Sequence, residues 1–193
     1  MKRIKSSLKI IAILSAIFFL LSCNNTLRDK DKSSSFLLLA RIKGQATDGG
    51  DADFYQSDVQ DDETGVVYED VSVATLEAKL KGPGECVMGS SYKNTIVVTR
   101  YTVVYTAIDP PTSSVSQSFE GHLTVVIEID ATTDVSFILV KAGAKNESPL
   151  QEIKDSVNSL VVKATITFYG HDLASNPVQA SGDITIHFAD WVN

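Results

Sequence analysis

The chain has 193 residues, 17 basic and 24 acidic side chains, a net charge of −7 and a hydrophobic content of 44%. That length suits one ordinary domain with a short extension, and the acidic balance lacks the basic footprint that a nucleic-acid partner requires. Two cysteines in the whole chain exclude a disulfide scaffold, so stability has to come from a packed core.

Lys2, Arg3, Lys5 and Lys9 give a cationic start, and Ile10 to Leu21 is apolar apart from Ser15, as in a secretory h-region. At about 12 residues the run is short for a bilayer, which needs roughly 20. It ends in Leu20-Leu21-Ser22-Cys23, which resembles the lipobox of bacterial lipoproteins. The resemblance implies cleavage after Ser22 and acylation of Cys23, giving an envelope protein anchored to a lipid bilayer. Asn24 stands where the sorting rules of that family place Asp for inner-membrane retention, which implies the outer membrane. Loss of residues 1–22 removes four cations and no anion, taking the net charge from −7 to −11.

Residues 24–35 (NNTLRDKDKSSS) are polar and serine-rich, a flexible tether with a typical reach of roughly 19 Å. With Cys23 acylated, Cys86 has no intrachain partner, and a small buried side chain is its default reading.

From Phe36 onward the dominant period is two, which marks strands with one buried and one wet face. In Thr95–Ala107 one face carries Val97, Tyr101, Val103, Tyr105 and Ala107. In His122–Asp130 the apolar set is Leu123, Val125, Val126, Ile127 and Ile129. Val161–Gly170 alternates Val162, Ala164, Ile166 and Phe168 with polar residues, and Ala180–Phe188 alternates Ile184, Ile186 and Phe188. Weaker strands are Phe36–Lys43, Val73–Leu80 and Asp134–Lys141, for a total of about seven or eight. Gly82-Pro83-Gly84, Asp109-Pro110-Pro111 and Ser175-Asn176-Pro177 are turns. Ser148-Pro149-Leu150-Gln151 has the form of a helix start and predicts a short helix over 149–155.

Such a pattern is the expectation for an all-β, immunoglobulin-like antiparallel sandwich. The segment Tyr169-Gly170-His171-Asp172-Leu173-Ala174-Ser175-Asn176-Pro177-Val178 resembles the last hairpin of bacterial Ig-like domains, with Ser175 where many members have glycine. Residues 36–193 as a whole resemble a group of uncharacterised bacterial lipoproteins that join an IVVTRYTVVYT strand to this hairpin. The resemblance implies a fold and a location, and no activity.

Asp48, Asp51, Asp53, Asp58, Asp61, Asp62 and Glu63 crowd one glycine-containing stretch, the kind of oxygen-rich segment that Ca²⁺ selects. A solvated acidic loop is the favoured reading, because the spacing does not fit an EF-hand. If Ca²⁺ binds, Asp51, Asp53 and Asp58 are the candidate ligands; no other cofactor is expected. With the last hairpin turning near Ser175, His187 falls opposite about Lys163, so that His171 and His187 stand roughly 26 Å apart and cannot share a metal. Tyr101 and Tyr105 read as core, and Trp191 as cover for one end.

No nucleophile elbow, P-loop, HExxH or CxxC pattern occurs. The expectation is a non-enzymatic binding or structural module that meets an envelope or surface protein. The alternative is a small-ligand carrier or enzyme in an unfamiliar sandwich, which would require a pocket of convergent polar groups.

Overall fold

The computed structural model describes residues 33–46, 49–61, 63–81, 92–110, 117–154 and 156–191. The leader, Cys23, the tether as far as Lys32, Asp48, Asp62, the Gly82-Pro83-Gly84 turn, Cys86, Pro111 and Asp155 lie outside them. No helix among the described residues is long and apolar enough to cross a membrane.

The described residues are all-β. Nine strands run in chain order: β1 (Ser35–Gln45), β2 (Asp51–Ala52), β3 (Phe54–Asp58), β4 (Asp70–Leu80), β5 (Ile96–Asp109), β6 (Phe119–Ile127), β7 (Thr132–Val140), β8 (Ser159–Asp172) and β9 (Pro177–Ala189). They form one sheet in the order β6-β5-β8-β9-β3-β1-β4-β7, with β2 paired to β1. The two ends of this order, β6 and β7, are consecutive in the chain, joined through Glu128–Ala131.

Packing shows how far the sheet curls. Phe137 of β7 lies edge-on to Tyr101 of β5 and Phe168 of β8, with ring centroids 5.4 and 5.5 Å away. Tyr105 donates its hydroxyl to the Leu139 carbonyl at 2.6 Å, and the Tyr101 hydroxyl accepts the Ile138 N–H at 3.0 Å. Strands from opposite ends of the order therefore face each other across one core, as in a nearly closed barrel.

The expected last hairpin is present. Ala164 pairs with Ile184 and Val162 with Ile186, and Val162, Ala164, Ile166, Phe168, Ile184, Ile186 and Phe188 are all buried. Asp172 builds its turn: Oδ1 accepts the backbone N–H groups of Ala174 and Asn176, both at 2.9 Å, and the Asn176 amide closes on both oxygens. Ser175 sits in the left-handed region at φ 67°, a conformation that favours glycine.

Elsewhere the structure departs from the simple pattern. The sheet is mixed, because β3 runs parallel to β9 and to the end of β1. The stretch read as an acidic loop thus contains two strands, β2 and β3. Period-two reasoning missed them because only Tyr55 and Ser57 of the short FYQSD run turn inward. In β5 the inward set is Ile96, Val98, Tyr101, Val103 and Tyr105, where strict alternation puts Val97 inside. A bulge between Val98 and Arg100 shifts the register against both neighbours, and an inserted residue reverses which face each later side chain occupies. β1 has the same device between Leu39 and Arg41, so Leu37 and Leu39 hand the inward face to Ile42. β6 ends at Ile127, and its Val126 is exposed.

The segment expected as a helix over 149–155 forms only a 3₁₀ turn, Leu150–Ile153, preceded by another at Ala142–Asn146. Its two buried residues, Leu150 and Ile153, are three apart, the spacing that stacks side chains in a 3₁₀ turn. Ser148 donates to Glu152 at 2.6 Å in place of the expected Gln151 arrangement.

Candidate functional site

The most unusual chemistry in the described core is a buried ion pair. Lys145 occupies the Ala142–Asn146 turn and is 1% exposed, where lysine is almost never found without a partner. Its Nζ donates to Asp70 Oδ1 at 2.8 Å and to the Asp58 backbone carbonyl at 2.7 Å. Asp70, the first residue of β4, receives a second hydrogen bond on Oδ2 from the Ser57 hydroxyl at 2.6 Å. Three segments far apart in sequence therefore meet here: β3, the start of β4, and the turn after β7.

The surroundings amplify the charges. Burial pushes the Asp70 carboxyl above the usual carboxylate range, although Lys145 and Ser57 pull the other way. Burial and the nearby Asp70 push the Tyr55 hydroxyl up to about 12, and Tyr105 is raised by burial, Asp70 and Tyr101. Asp58 is also raised, mainly by burial, against the Trp191 and Gln60 backbone N–H groups that point at its Oδ1. Taking two charges out of water costs several kcal/mol per ion, which their mutual attraction repays only when the geometry is good. An amine and a carboxyl in contact, shielded from water, can exchange a proton or form a bond.

Of the three aspartates singled out from sequence, Asp58 touches this pair through its backbone carbonyl, and Asp51 and Asp53 lie elsewhere. Asp51 is exposed and pairs with Lys43 at 2.6 Å and with Arg41 at 3.9 Å; the Lys43 hydrogen bond lowers its pKa. It borders a cleft of about 180 Å³ lined by Lys43, Gln45, Tyr55 and Ser72. Asp53 lies in the bend between β2 and β3, and Asp58 ends β3 opposite Ala189. Among the described residues no three His, Cys, Asp or Glu side chains converge as a metal-binding group.

His187 pairs opposite Val161, two residues beyond the expected Lys163, with its ring 5.2 Å from Phe54. His171 is at the other end of the hairpin, opposite Pro177. His122 is exposed, 3.6 Å from Glu120. Tyr101 and Tyr105 belong to the core as expected. Trp191 is partly buried against Asp58 through its backbone N–H.

Sequence reasoning missed Lys145, Asp70 and Ser57. The only hint is the small-residue run Ala142-Gly143-Ala144 before Lys145, which permits a tight turn, and nothing in the spacing marks that lysine as inward. No protein-family model matches this chain, and no curated protein is similar to it.

Proposed function

We propose that this protein is a bacterial envelope lipoprotein, held to the outer membrane by lipid on Cys23, whose Ig-like domain serves as a binding or structural module. The observation that carries the reading is Leu20-Leu21-Ser22-Cys23 at the end of a cationic-then-apolar leader, followed by a polar tether. Several acyl chains on one cysteine give stable attachment, since each buried methylene contributes about 0.8 kcal/mol.

The strand order supports the Ig-like part. The orders β1-β4-β7 and β9-β8-β5 can be matched to the A-B-E and G-F-C strands of an immunoglobulin sandwich. In this reading β3 extends the second sheet beyond β9, β6 extends it beyond β5, and the end of β1 passes between the layers. The outward side of that second sheet suits a protein partner: Arg100 lies over the Tyr169 ring at 4.0 Å and pairs with Glu120 at 2.7 Å, beside the Thr165–Asp183 and Thr167–Ser181 contacts. Rigid aromatic and arginine anchors of this kind are enriched at protein interfaces.

The test is Cys23→Ala, followed by fractionation and labelling with a fatty-acid probe. The variant is expected to lose both label and membrane retention. Quantitative retention of an unlabelled variant in the membrane fraction would overturn the anchor.

A further inference from the structure

We infer that Lys145 and Asp70 condense into an intramolecular amide, a covalent bond that ties the turn after β7 to the first residue of β4. The argument starts from contact. Lys145 Nζ stands 2.8 Å from Asp70 Oδ1, one bond from the carbonyl carbon it would attack, and reacting groups held this close behave as if at very high effective concentration. Lys145 is 1% exposed and Asp70 is 9% exposed, so neither group is free to swing away into solvent. Exclusion of water also favours the condensed product, because hydrolysis is the reverse step.

The remaining contacts have the roles that the reaction needs. The ammonium passes a proton to Oδ1, leaving a neutral amine facing a neutral carboxylic acid, the form toward which burial pushes the Asp70 carboxyl. The Nζ lone pair then attacks Cγ, and negative charge gathers on Oδ2. That oxygen already receives the Ser57 hydroxyl at 2.6 Å, a donor placed where charge develops. The Asp58 carbonyl accepts a hydrogen from Nζ at 2.7 Å, which holds the amine on the Oδ1 side. A proton moves from nitrogen to the Oδ1 hydroxyl, the C–Oδ1 bond breaks, water leaves, and the C=O bond to Oδ2 re-forms. One C–N bond is made, one C–O bond is lost, no electrons are gained or lost overall, and the two buried charges vanish.

The peptide map of the full chain, denatured and digested with trypsin, tests this. Cleavage is expected to fail at Lys145, whose amine is acylated. The digest should then hold a branched peptide joining residues 44–79 to residues 142–154, lighter by one water than the sum of the two. Lys145→Met should release 44–79 as a linear peptide of full mass. Recovery from the wild-type chain of linear 44–79, 142–145 and 146–154 in full yield overturns the inference, as does a water loss confined to linear 44–79. A Lys145→Met chain that fails to fold does not affect the outcome, because the wild-type map decides it alone.

Discussion

Replacing Phe137 with alanine probes whether the two ends of the strand order really face each other. Phe137 is 3% exposed, and it meets Tyr101 at an interplanar angle of 72° and Phe168 at 85°. Truncating a buried phenylalanine costs about 3–5 kcal/mol. Two edge-to-face pairs, each contributing about 0.5–1.5 kcal/mol beyond burial, put the expected loss near the top of that range. With a urea slope of about 2 kcal/mol per molar, the midpoint should fall by about 2 M. Far-UV circular dichroism and the fluorescence of the single tryptophan would follow the transition. A double-mutant cycle with Phe168→Ala then isolates the cross-core contact, with an expected coupling of at least about 0.5 kcal/mol. A Phe137→Ala loss below about 1 kcal/mol, or additivity within about 0.3 kcal/mol, would refute packing of β7 over β5 and β8.

Two further outcomes follow from the last turn. Ser175→Gly should stabilise the domain by about 0.5–1 kcal/mol, the relief of left-handed strain less the added freedom of the unfolded chain; denaturant midpoints of the two proteins check this. Burial alone would raise the Asp172 carboxyl, but hydrogen bonds from Asn176, Ser33 and Ala174 more than offset it and hold it below the ordinary range. A depressed carboxyl contributes stability that is present above the unfolded value of about 3.9 and is lost as pH falls through the folded value. Asp172→Ala should therefore cost about 1–3 kcal/mol at neutral pH, and its gap from wild type should narrow in urea titrations at about pH 3; a gap independent of pH would contradict this sign.

The parts of the fold that were legible in the sequence are those where a single period runs uninterrupted. β8 and β9 carry their inward residues at every second position with no bulge between them, so facing and pairing follow from one pattern. In β5 the same logic places Tyr101, Val103 and Tyr105 inside but fails at Val97, because the bulge near Thr99 makes Val98 and Tyr101 neighbours on one face, and an odd step of three is invisible to a two-residue template. β3 was lost for another reason: two inward residues among acidic neighbours carry too little apolar signal, and the partner that stabilises them, β9, lies at the far end of the chain. The Lys145–Asp70 pair was illegible in principle, since burial of a lysine is decided by where Ser57, Asp58 and Asp70 arrive from other strands. The resemblance of Leu20-Leu21-Ser22-Cys23 to a lipobox, on which the proposed anchor rests, is in contrast carried by four adjacent residues.

The parallel pairing of β3 with β9 sets Phe54 beside Thr185 and Ser57 beside Phe188, which joins an early segment of the chain to its last strand. Loop-closure entropy makes so distant a contact slow to form. A polypeptide delivered N-terminus first therefore presents Tyr55 and Ser57 long before their ladder exists. Local hairpins such as β5–β6 can form as they emerge, while the acidic stretch around β3 waits with its many carboxylates keeping it solvated. Completion of the sheet on that side is thus timed by the arrival of the final thirteen-residue strand.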